Sequence, residues 1–138
     1  MSKYTHPTLR VLLSLLLFMS STMPIMALFG KVPAPTRDLY TNDLAFSFID
    51  ILMKTRYINL INSYIFGISL VLLWMRREAL AALLILPITV NIVAFHWALD
   101  GGPFTGGAVM GNIFALLNVY FLWKNKHHYM ALFRPHTH

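Results

Sequence analysis

The chain has no cysteine. That excludes structural disulfides, a CxxC redox pair and thiolate metal sites. Charge is almost as scarce. Only 12% of the residues are charged, where a soluble domain carries about 25%. With 57% hydrophobic residues and a mean hydropathy of +0.62, lipid must do part of the solvating. No basic patch is interleaved with stacking aromatics, so the net charge of +6 does not point to nucleic acid. There is no nucleotide-binding loop, no nucleophile–base pair and no HExxH. No lysine or carboxylate lies centrally in an apolar run, as proton-coupled transport usually requires. The nearest acid, Asp100, stands at the edge of one.

What is present is a set of apolar runs. The run at 79–99 is uncharged and, at about 1.5 Å per residue, roughly 31 Å long, one hydrocarbon thickness. Runs at 9–30, 57–75 and 104–123 are similar. The spacing predicts an all-α integral membrane four-helix bundle forming a single transmembrane domain. The first run has the elements of a signal peptide: Lys3 and Arg10 before the apolar core at 11–19. Its end, SSTMPIMALFG, has no clean A-x-A site, so a retained span bent by Pro24 is expected.

Residues 31–56 form the one long polar stretch. Pro33 and Pro35 keep its start extended. Thr41, Asn42 or Asp43 can cap a short amphipathic helix, with Leu44, Phe48, Ile51 and Leu52 on one face. Asp43, Ser47, Asp50 and Lys54 fall opposite, with Asp50 and Lys54 in i,i+4 register. Such a helix lies at the membrane surface or plugs the mouth of the bundle as a lid.

Four spans divide the charges unevenly. Lys3, Arg10, Arg76, Arg77, Lys124, Lys126 and Arg134, with Glu78, fall on one side and hold the whole net charge of +6. Lys31, Arg37, Lys54 and Arg56 balance Asp38, Asp43, Asp50 and Asp100 on the other. The bias predicts both termini in the cytoplasm, and inner cations touching anionic lipid. Trp74, Tyr120 and Trp123 read as aromatic belts.

The polar residues inside the spans carry any chemistry. Asn59 and Asn62 share a face of the second span. Asn91, one turn beyond Pro87, is expected either to relieve the distorted turn or to bond Asn112 or Asn118, or else to face a ligand. His96 and Asp100 are i,i+4, so the carboxylate can hold one ring nitrogen and orient the other. Asn91, His96 and Asp100 form the candidate ligand pocket. No second span histidine completes a metal or haem site, and His127, His128, His136 and His138 fall on the opposite side, so no metal is expected. Gly107, Gly111 and Ala115 give a small-residue face for close helix packing, within the chain or against a protein partner or second copy.

Four segments together resemble the DoxX-like family of small four-helix bacterial membrane proteins. They are LFGKVPAP, MKTRYINLI, LLWMRREALAALLILPITVNIVAFHWALD and LNVYFLWKNKHHYMALFRP. The most specific part is LPITVNIVAFH with the acidic turn at Asp100, carrying Pro87, Asn91, Ile92, His96 and Asp100. The resemblance implies a bacterial inner-membrane protein with an accessory role or a quinone-linked redox role, as in a thiosulfate:quinone oxidoreductase. Where many relatives carry a glutamate early in the second span, INSYIFGIS has no acid; where many carry Thr-Gly-Tyr, this chain has Thr55, Arg56 and Tyr57. The missing carboxylate moves the expectation toward a non-catalytic accessory or structural subunit. A quinone-binding subunit and a small-molecule transporter are the alternatives.

Overall fold

A computed structural model describes residues 4–130. Lys3, Arg134, His136 and His138, counted in the charge and histidine arguments above, lie outside the described residues. The described part contains six helices: α1 (Thr5–Leu28), α2 (Asp43–Thr55), α3 (Tyr57–Trp74), α4 (Glu78–Ala98), α5 (Gly106–Lys124) and α6 (Lys126–Met130). A single 3-10 turn, Arg37–Leu39, precedes α2. Helices α1, α3, α4 and α5 are long and apolar enough to cross a membrane. The chain is therefore a multi-pass, all-helical four-helix bundle. Helix α1 starts four residues earlier than the apolar pattern indicates, because the polar leader continues the helix past Pro7 in its first turn, where a missing N–H costs nothing. It also runs through Pro24 without ending.

Around the bundle, α1 packs on α3, α3 on α4 and α4 on α5, while α5 and α1 meet only along a thin seam. Many apolar side chains are turned outward: Leu15, Phe18, Ile68, Val71 and Leu116 are exposed. Ser14, Ser63, Ser69, Thr89 and Asn118 are buried beside the apolar core. Bathed in hydrocarbon, a helix gains little by hiding leucine; small and polar residues make the interfaces. The α1–α3 interface shows this directly. Ser21 Oγ donates to the Ser63 carbonyl at 3.0 Å, and Ser63 Oγ donates back to the Ser21 carbonyl. Gly67 leaves the room, since a Cβ there would lie 3.0 Å from Ser21 Oγ.

Packing is tight at one end and loose at the other. The buried residues of α1 stop at Leu17, and with Leu73, Ala81, Ile85 and Phe121 they fill the half that contains the α3–α4 turn. At that end Glu78 gathers α1, α4 and α5. Its carboxylate lies 3.0 Å from His6 Nε2, 3.9 Å from Arg10 Nη1 and 4.0 Å from Lys124 Nζ. Arg10 also donates to the Leu73 carbonyl and lies over the Trp74 ring. Beyond the tilted pair Phe66 and Phe114 a cavity opens between α3 and α4, and α2 covers it.

Helix α2 is capped by Asn42, whose Oδ1 accepts from the Ala45 N–H at 2.9 Å. Lys54 pairs with Asp50 at 2.6 Å as the spacing requires. Its inward face differs from the expected one. Ala45, Phe48, Ile49 and Leu52 turn toward the bundle, while Leu44 and Ile51 are 65% and 59% exposed. The expected face was centred one residue off, because sequence spacing alone does not register where the helix meets its partner.

Candidate functional site

Helices α2, α3 and α4 enclose a cavity of about 410 Å³ at the loose end. Its walls are largely apolar, with Phe48 and Leu52 from α2, Ile58 from α3 and Pro87, Ile88, Ile92 and Phe95 from α4. Phe48 stacks on Phe95 with ring centres 5.5 Å apart, which closes α2 onto α4. The polar groups at this cavity are Tyr40, Asn62, Asn91 and His96. No Lys, Arg, Asp or Glu lines it.

His96 is held from behind. Its Nδ1 lies 2.8 Å from Asp100 Oδ2. The other carboxylate oxygen accepts from the Thr41 N–H at 3.0 Å and the Thr41 hydroxyl at 3.3 Å. Asp100 is thus only 2% exposed. Burial pushes its carboxyl up, but the bonds from Thr41 and His96 outweigh burial and hold it below the usual carboxylate range. An ionised Asp100 takes its hydrogen bond from Nδ1–H, so in the neutral imidazole Nε2 is the free acceptor. Among the described residues Nε2 has no partner.

The same carboxylate fastens α2. Thr41 immediately precedes Asn42, the α2 cap, and the Asn42 amide donates to the Leu99 carbonyl at the end of α4. Gly101 makes the close approach feasible. Its φ is +84°, and a Cβ there would lie 2.8 Å from Thr41 side-chain atoms.

Of the expected pocket residues, Asn91 and His96 line the cavity and Asp100 sits behind the imidazole. The bonds expected of Asn91 toward α5 are absent. Asn112 accepts from the Trp97 ring N–H and donates to the Pro103 carbonyl, while Asn118 donates to Thr89. Asn91 is left without a hydrogen bond among the described residues, and so is Asn62. Asn59 goes elsewhere: its amide donates to the Leu52 carbonyl and Met53 sulfur of α2. Asn62 and Tyr40 were not singled out as pocket residues. Asn62 was visible as an intramembrane amide; nothing in the sequence placed the connector's Tyr40 beside His96.

The glycine face meets α4 of the same chain. A Cβ on Gly107 would lie 2.6 Å from His96 Cε1, and one on Gly111 would lie 3.0 Å from Ile92 Cγ2. Both glycines are engaged by α4 of the same chain, with Ala115 half-buried one turn on. Gly107→Ala is expected to push the imidazole off Asp100 and cost about 1–3 kcal/mol in stability. In detergent melts, combining it with His96→Ala should recover part of that loss, a non-additivity that measures the contact.

No three-residue cluster of His, Asp or Glu able to hold a metal occurs among the described residues. Comparison with protein-family models, curated proteins and solved structures finds no match.

Proposed function

We propose that the chain is a DoxX-like accessory subunit of the bacterial inner membrane. In this reading it binds an uncharged, quinone-class molecule in the cavity beneath α2, on the outer side, with both termini in the cytoplasm. One observation carries the reading. Asn62 and Asn91, two carboxamides without partners, converge with an aspartate-held imidazole on a cavity with apolar walls. An unpaired amide is costly in a membrane, and a ligand with carbonyl or hydroxyl groups offsets that cost. The fit is chemical: amide N–H groups donate to carbonyl oxygens, His96 Nε2 accepts from a hydroxyl, and the flat apolar walls suit a ring. A quinone supplies two-electron chemistry when bound; the residues here would orient it, exclude water and hold a proton at Nε2.

The departure from the family pattern at Arg56 falls at a backbone position that itself favours glycine. Arg56 adopts φ 62° between α2 and α3, a left-handed conformation that favours glycine, where many DoxX-like proteins carry one. The charge bias of the chain supports the orientation.

The test is titration of the purified protein in nanodiscs with a benzoquinone, with retained folding checked by circular dichroism. His96→Ala and Asn91→Leu are each expected to weaken binding about tenfold, the equivalent of about 1.4 kcal/mol. Unchanged binding in both variants would defeat the reading.

A further inference from the structure

A second cavity of about 400 Å³ lies along the α1–α5 seam, walled by Met19, Ser20, Met110, Gly111 and Phe114. Ile92 lines both this groove and the cavity beneath α2. Gly107, which also lines the groove, lies under the His96 ring. The two spaces therefore share one thin wall. They differ in chemistry. The α2 cavity carries amides and an imidazole; the groove is almost wholly apolar.

We propose that the two spaces form one binding site for a single-tailed lipophile. The uncharged head lies among Asn62, Asn91 and His96, and the hydrocarbon tail passes Ile92 into the α1–α5 groove. This rests on the head-binding reading given above. The molecule enters sideways from the bilayer through the seam, where packing is thinnest, and not through the lid, which Asp100, Thr41 and Asn42 hold shut. Absence of a lining charge selects a neutral head over a phospholipid, whose phosphate would find no cation in the cavity. Beta-branched Ile92, with two carbons on Cβ, has few rotamers; the tail must displace it as a unit, so Ile92 acts as the partition between head and tail spaces.

The test uses two probes in nanodiscs: an unsubstituted benzoquinone and the same ring bearing a decyl chain. Met110→Trp and Ser20→Phe each fill the groove from a different helix without touching the head cavity. Comparing each probe between variant and wild-type protein cancels its partition into lipid. The expected result is about a tenfold weaker affinity for the decyl probe in both variants and no change for the bare ring. A diazirine at the end of the decyl chain is expected to label α1 or α5 at the groove. If both probes bind the wild-type protein but neither variant discriminates between them, the tail site is wrong and the head site stands. Failure of either probe to bind the wild-type protein overturns both proposals.

Discussion

Asp100→Ala is expected to be the most damaging single substitution at the loose end of the bundle. It removes the acceptor for the Thr41 N–H, the Thr41 hydroxyl and His96 Nδ1 together. Loss of a buried ionised acceptor with three donors costs about 3–5 kcal/mol. Detergent melts should show a large fall in midpoint, and proteolysis should cut in or near the start of α2 first, since Asn42 to Leu99 is the hydrogen bond left holding that end. Asp100→Asn keeps the shape but loses the charge, and should fall between alanine and wild type. If both variants melt like wild type, the carboxylate does not secure the connector. The pH dependence follows in sign. Asp100 has a folded-state pKa below its unfolded one, so its contribution is fully present above the ordinary carboxylate pKa of about 4. It is lost as pH falls through the lower folded value. Acid should therefore release α2 before it unfolds the four spans, and Asp100→Asn should abolish that step.

Glu78→Ala is expected to act at the opposite end and to destabilise the whole bundle. Glu78 is 13% exposed in its side chain and faces His6, Arg10 and Lys124. Without it, Arg10 and Lys124 repel each other with no counter-charge between α1, α4 and α5. The expected cost is about 1–3 kcal/mol, between that of an exposed pair and a buried one. Glu78→Gln retains the size and a hydrogen bond to His6 but not the charge. It should lose most of the same stability if charge is the cause, and little if packing is. High salt should lower wild-type stability measurably, because Lys124 and His6 keep 37% and 28% of their side chains exposed. Additivity with Asp100→Ala is expected, since the two sites share no partner.

The architecture was readable because lipid imposes a strong and simple pattern. Four apolar runs gave four helices, with ends displaced by a few residues where polar side chains extend a helix without cost to the membrane. His96 and Asp100 were readable for a similar reason: an i,i+4 pair on a helix is fixed by local geometry. What needed tertiary structure is less predictable. Glu78 looked like a lone charge offsetting several cations; its three partners come from 46 to 72 residues away. Thr41 reads as a helix cap, yet its role is to bond Asp100, 59 residues on. The Ser63–Gly67 spacing on α3 carried the same small-residue signal as Gly107–Gly111, but serine hydroxyls that bond a facing carbonyl leave no mark that singles them out. Of the alternatives open to Asn91, the bond to α5 is the one not made: those amides found Thr89 and Pro103 instead.

The two serines that exchange hydrogen bonds between α1 and α3 also have a mechanical consequence. They couple α1 and α3 into one leaf, as α4 and α5 form another, with the α3–α4 contact as the spine of a book. Any widening of the free edge must swing α1 and α3 together about that spine. The α1–α5 edge, where contact is thinnest, is therefore the one along which the two leaves are least held together.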